Sequence, residues 1–329
     1  MAYLGLCNIG LFSNDIVTYK QMFNVREVKW SLKRPNMKAS IRKLNKDEYV
    51  SLRTGEIKNF VKMESRADDK NNVRVTLSNL RDLINSNVDD PSFCKWITLT
   101  YAQPDGKPMT DPRKLYNDFK IFNILARRKF GHYEYIVAME PQGSGSWHAH
   151  MLMFFPSKAP YMANDVVAKL WRQGFVTVKK LVDCDNVGAY LTAYLGDMNL
   201  DDVNDHNLKV SGEIKEVYVN DEMNIPRLKR FVKGARLCFY PPGFNLYRCS
   251  RGIKRPVVEK LEFYKVEKLV KDLFLTYERT YSIEDSRTGY KNTYNDRYYN
   301  TKRKAVHDQS LYRVQRKVQK SDLDFVRSS

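Results

Sequence analysis

Trp147-His148-Ala149-His150-Met151-Leu152-Met153-Phe154-Phe155 is the run from which the architecture of this chain can be worked out. Side chains alternate faces along a strand, so His148 and His150 point the same way, about 6–7 Å apart. Met151 and Met153 alternate with Leu152 and Phe154, so both faces read as buried and the strand as central in its sheet. Two neutral imidazoles on one rigid face can hold a divalent metal, provided a third ligand joins them.

The neighbouring segments extend the pattern on both sides. Upstream, residues 133–139 form a second strand, joined to the first by the glycine-rich hairpin Pro141-Gln142-Gly143-Ser144-Gly145-Ser146. Lys95-Trp96-Ile97-Thr98-Leu99-Thr100-Tyr101 is β-branched and aromatic, a third strand closed by Pro104-Asp105-Gly106. Asp111-Pro112 opens a helix whose apolar stripe is Leu115, Phe119, Phe122 and Leu125 or Ala126, ending near Gly131. Downstream, Asn164 is read as the cap of a helix through Val167, Leu170 and Trp171, and residues 175–178 as another strand. Asp185 or Asn186 caps a last helix through Val187, Tyr190, Leu191, Tyr194 and Leu195, stopped by Gly196. The order β-α-β-β-α-β-α predicts an α+β fold of split ferredoxin-like order, antiparallel at its centre with helices on one face.

The ends are less patterned. Residues 1–90 form an N-terminal region to which no chemistry is assigned; residues 73–84 read as strand or loop giving way to helix, with Ser78 or Asn79 as cap. Residues 91–200 hold the patterned domain, and the acidic stretch 197–205 marks its end. Residues 201–329 form a basic region. Its acid-free run carries Arg227, Lys229, Arg230, Lys233, Arg236, Arg248, Arg251, Lys254 and Arg255, interleaved with Phe231, Phe239, Tyr240, Phe244 and Tyr247, and reads as DNA-binding. Residues 256–274 read as helix, 276–290 as strand-rich, and 302–320 as a basic tail, helical or disordered.

Composition narrows the partner. The 329 residues carry 56 Lys plus Arg against 38 Asp plus Glu, a net charge of +18 that favours a polyanion. Twenty-one Tyr and 16 Phe suit the stacking of single-stranded bases. Apolar runs stay short of the roughly 18 residues of a membrane span, and the N-terminus lacks the basic start of a signal peptide. Five cysteines without a CxxC spacing read as reduced thiols in a cytoplasmic protein. A G-x-x-x-x-G-K-[ST] loop is lacking, so neither a fused helicase nor a nucleotide cofactor is expected.

Trp147-His148-Ala149-His150, followed by Tyr190-Leu191-Thr192-Ala193-Tyr194 and preceded by Ile97-Thr98-Leu99-Thr100, resembles the HUH endonucleases, specifically rolling-circle replication initiators of bacterial plasmids and phages. Histidines first and tyrosines later is the initiator order; relaxases reverse it. Residues 94–197 carry the resemblance, with weaker support from Lys233-Gly234-Ala235-Arg236 through Ser250-Arg251-Gly252. It implies that Tyr190 or Tyr194 attacks a phosphate of single-stranded origin DNA, leaving a 5′-phosphotyrosine link and a 3′-hydroxyl that primes synthesis. Mg²⁺ or Mn²⁺ on His148 and His150 would assist, with Glu140 as third ligand and Gln142 as its substitute. Glu140 reaches the imidazoles only if the hairpin register sets it beside them. A host helicase and polymerase in the bacterial cytoplasm would complete replication.

The sequence departs from the family where many members carry a lysine near the tyrosines; here those positions are Ala193 and Asp197. Two other functions fit parts of the pattern. A non-catalytic single-strand binder would need no metal. A transposase of the same superfamily fits less well with twin tyrosines and a basic C-terminal region.

Overall fold

The alternation that predicts a central strand at 147–155 is what the folded chain uses. The computed structural model describes residues 11–33, 41–60, 70–181, 186–192, 196–205, 213–220, 226–241, 243–285 and 289–304. In chain order come β1 (Ile16–Gln21), β2 (Val25–Ser31), β3 (Ile41–Lys43), β4 (Glu48–Ser51), β5 (Ile57–Asn59) and helix α1 (Lys70–Asn85). Next are β6 (Cys94–Tyr101), α2 (Pro112–Phe130), β7 (Glu134–Pro141), β8 (Trp147–Phe154), α3 (Asn164–Trp171), β9 (Gly174–Lys180) and α4 (Val187–Thr192). Then follow β10 (Met198–Asn199), α5 (Leu200–Asp205), β11 (Ile214–Asn220), β12 (Pro226–Val232) and β13 (Tyr247–Cys249). The last elements are β14 (Val257–Glu262), α6 (Phe263–Val270), β15 (Leu273–Asp285) and β16 (Tyr290–Lys304).

The fold is α+β, and its paired strands run antiparallel. The central sheet has the order β13-β7-β8-β6-β9, which puts β8 in the middle. On one face Ile97, Leu99, Val137, Met139, Met151 and Met153 meet Leu115, Phe119, Phe122 and Ala126 of α2 and Val167 and Trp171 of α3. The Asp111 carboxylate accepts the Arg113 N–H at 2.8 Å, Pro112 opens α2, and Gly131 closes it. The opposite face is covered as well. Leu80, Leu83 and Ile84 of α1 and Val187 of α4 pack on Cys94, Ile136, Leu152 and Phe154. Helices therefore lie on both sides of the sheet rather than on one.

Four other expectations change. Helix α1 begins at Lys70, before Ser78 and Asn79, because Val73, Leu77, Leu80 and Ile84 recur at helical spacing and bury together. The β-branched residues of 73–76 had suggested a strand; tertiary burial outweighs that weak preference. Ala163 is the cap of α3, while the Asn164 side chain accepts the Val178 N–H at 2.8 Å and ties the helix to β9. The segment expected as helix over 256–274 opens with β14, which pairs along β1, and only then turns into α6. Tyr240 and Phe244, read as base-stacking aromatics, instead pack on Trp147 with ring centroids 5.5 and 4.8 Å away.

The two ends of the chain meet. β14, β1, β2, β16 and β15 make one sheet, on which α6 buries Phe263, Val266 and Val270 against Val17, Tyr19, Val28 and Trp30. Residues 16–31 and 257–304 thus fold as one unit, although the sequence suggests separate regions before 90 and after 201. The tail expected over 302–320 lies outside the described residues beyond Lys304.

Candidate metal centre

Strand register assembles the centre. In the β7–β8 turn the Gln142 N–H donates to the Ser146 carbonyl at 2.8 Å, and Gly145 takes a φ of +81°. That turn sets Glu140 opposite His148 and Ala138 opposite His150. On the other side of β8, Thr98 lies opposite His150 and Thr100 opposite His148. All these even-numbered residues share the sheet face that carries α1 and α4.

One carboxylate oxygen, Oε2 of Glu140, lies 3.2 Å from Nε2 of His148 and 3.2 Å from Nε2 of His150. The three potential ligand atoms fall within 4.8 Å of one another. Two imidazoles and one carboxylate suit a borderline or hard divalent cation, so the residues present fit the metal expected from the sequence. Thr98 Oγ1 lies 3.1 Å from Nδ1 of His150, and Trp96 stacks on the same ring at 5.5 Å. With its proton on Nδ1 and donated to Thr98, His150 presents the Nε2 lone pair to a metal.

Electrostatics prepare these groups for ligation. Burial alone would push the Glu140 carboxyl up. His148, His150 and the Arg236 guanidinium overcome this and hold it well below the usual carboxylate range. Burial lowers the pKa of His148 despite the neighbouring carboxylate, so its ring is neutral at neutral pH. Glu140 Oε1 also accepts the Gly196 N–H at 3.3 Å, which ties the exit of the tyrosine-bearing segment to the centre.

The tyrosine helix stands on the same face. α4 starts under a cap supplied by α1: Asn85 Oδ1 accepts the Gly188 N–H at 2.8 Å, and Asn85 Nδ2 donates to Asn186 Oδ1 at 2.8 Å. Tyr190 belongs to α4, whereas Tyr194 lies outside the described residues.

The basic run is distributed over several elements. Arg227 and Lys229 lie on β12. Arg230 pairs with Glu216 at 3.1 Å and Lys233 with Glu213 at 3.6 Å. Arg248 covers the Tyr116 ring at 3.5 Å, Lys254 lies over Phe23 at 5.0 Å, and Arg251 and Arg255 are exposed. Arg236 alone of the run touches Glu140 among the described residues, with Nη1 3.2 Å from Oε2.

Sequence reading assigned no role to Thr98, Trp96, Asn85 or Gly196 at the centre. Strand alternation could have found Thr98, since it opposes the buried Ile97 and Leu99; the other three depend on contacts distant in sequence. An open surface beside the centre was also missed. Phe175 is 71% exposed, and Thr177 and Lys179 are exposed beside it. They lie opposite Thr100, Thr98 and Trp96, on the face of the histidines.

Among the described residues no helix is long and apolar enough to cross a membrane, and Cys94, Cys238 and Cys249 are free thiols. No curated protein and no solved structure matches the chain. Residues 94–199, about a third of the chain, do match one family model, and this segment, which holds the whole Glu140–His148–His150 cluster, is thereby similar to the family described as replication-associated protein ORF2.

Proposed function

We propose that the protein nicks single-stranded origin DNA and rejoins strands through a 5′-phosphotyrosine intermediate, thereby initiating rolling-circle replication of a plasmid or phage. The observation that carries this reading is the Glu140, His148 and His150 cluster, with ligand atoms within 4.8 Å, on the sheet face that also bears the helix of Tyr190. The family match of residues 94–199 supports a replication role. The phenolic oxygen of Tyr190 or Tyr194, having lost its proton, bonds to the scissile phosphorus. The bond from phosphorus to the 3′ oxygen breaks, and that oxygen takes a proton and leaves as a 3′-hydroxyl. A divalent cation such as Mg²⁺ or Mn²⁺ would polarise a non-bridging phosphate oxygen. Glu140, His148 and His150 are the residues that would hold it, and Thr98 sets the His150 tautomer. The exposed Phe175, with Lys179, gives a base a surface to stack on and a phosphate a cation beside the centre. Synthesis from the freed 3′ end would fall to a host polymerase and helicase.

The test uses the full chain, Mn²⁺ and single-stranded oligonucleotides tiled across the DNA element that encodes it. A protein–DNA adduct resistant to SDS is expected on one region of the tiling and is expected to vanish in the double variant Tyr190→Phe/Tyr194→Phe. An equal adduct yield in that variant would overturn the reading.

A further inference from the structure

Arg236 sits where a metal site would not place a cation for its own sake. It belongs to the 3-10 turn Ala235–Phe239, after the β12 strand, and its side chain is 15% exposed. Its Nε donates to the Asp197 carbonyl at 2.6 Å and its Nη1 to the Pro141 carbonyl at 3.4 Å. Its backbone N–H donates to the Gly196 carbonyl at 3.0 Å. The guanidinium is therefore fixed between the end of β7 and the chain leaving the tyrosine helix, with Nη1 3.2 Å from Glu140 Oε2. Among the described residues its Nη2 has no hydrogen-bond partner.

A positive charge on the carboxylate that would ligate a cation weakens the hold on that cation by Coulomb repulsion. The arrangement makes sense if the centre must also take an anion. Glu140, Arg236 and a divalent cation sum to two positive charges; a phosphodiester and an attacking phenolate bring two negative ones. The guanidinium is planar and suits phosphate oxygens. It also hangs on the Asp197 carbonyl, at one of the two positions where the lysine expected near the tyrosines is lacking.

Resting on the nicking reading above, we propose that Arg236 is the phosphate-binding cation of the centre, which contacts a non-bridging oxygen of the scissile phosphodiester through Nη2 and lowers the affinity for metal until that anion arrives. By linkage, single-stranded DNA then tightens metal binding in the wild type more than in a variant without the charge.

Two readouts on the full chain test this: Mn²⁺ affinity without DNA, and adduct formation at saturating Mn²⁺ on the tiled oligonucleotides. Arg236→Gln is expected to bind Mn²⁺ about tenfold more tightly and to form adduct about a hundredfold more slowly. The two effects run in opposite directions, which a merely structural strut would not produce. Weaker Mn²⁺ binding together with slower cleavage, or cleavage at the wild-type rate, overturns the proposal. Should Arg236→Gln lose its cooperative melt, Arg236→Lys decides. Mn²⁺ affinity within about threefold of wild type, with cleavage slowed no more than about tenfold, supports a charge role; loss of either sinks it. If the wild type forms no adduct on any oligonucleotide, nicking itself fails, while the Mn²⁺ comparison still measures the effect of Arg236 on the centre.

Discussion

Thr98 shows how much a neighbouring hydroxyl decides at a centre of this kind. It touches His150 on the nitrogen away from Glu140, 3.1 Å from Nδ1, and so selects the tautomer that faces the carboxylate. Thr98→Val keeps the shape and removes the hydroxyl. Metal affinity is expected to fall about ten- to a hundredfold, read by Mn²⁺ titration, with the thermal midpoint nearly unchanged; unchanged affinity would show that the hydroxyl does not orient the ring. The two histidines were legible because the chain holds only five and the pair keeps strand spacing. Glu140 was legible only with Gln142 beside it, because a one-residue slip of the hairpin exchanges which side chain faces the imidazoles. The turn through Gly145 settles that register in favour of Glu140. Arg236 was legible as a cation but not as a neighbour of Glu140, since 96 residues separate the two in sequence.

Among the elements, α1 and α4 carry the tightest constraint. Their backbones approach so closely that a Cβ on Gly188 would stand 2.3 Å from the Arg81 carbonyl oxygen and 2.9 Å from Asn85 Oδ1. Gly188→Ala must therefore push the tyrosine helix off α1 or break its cap. The expected cost is about 1–3 kcal/mol of stability, together with a loss of adduct formation larger than the unfolded fraction explains. Wild-type nicking by a folded Gly188→Ala variant would show that the seat of α4 is not critical. The helix of 112–130 and the three strands around it were readable from periodicity and caps, since their signals are local. α1 was misread at its start because β-branched residues crowd its first turns, and the burial that makes them helical comes from the distant sheet.

For the whole molecule the decisive joint links the terminal sheet to α1. Glu27 on β2 is fully buried, with Lys20 at 2.8 Å, Lys29 at 2.7 Å and Arg81 of α1 at 3.4 Å, and it accepts the Tyr298 hydroxyl. Lys20 also reaches Asp82 of α1 at 2.6 Å. Burial would raise the Glu27 carboxyl, but Lys29, Lys20 and Arg81 together bring it down from 4.5 to about 2. The folded value lies below the unfolded one, so ionised Glu27 stabilises the fold above the unfolded value, and this contribution drains away as pH falls from 4.5 toward about 2. Glu27→Gln is expected to cost about 3 kcal/mol at neutral pH, because it leaves buried cations unpaired. It should also flatten the acid dependence of the urea midpoint over that window; a variant as acid-sensitive as wild type would place the sensitivity elsewhere. None of this was visible in residues 1–90 alone, since Glu27 is held in part by Tyr298 of β16, far along the chain. By itself, the sequence determined the α+β class, the central strand, the histidine face and the cationic character, because these follow from alternation, spacing and charge counted along the chain. Only the tertiary structure decided that Glu140 meets both imidazoles, that Arg236 joins them, that helices cover both faces, and that the chain ends share a sheet. Each of those rests on groups whose meeting depends on register and packing rather than on any local pattern.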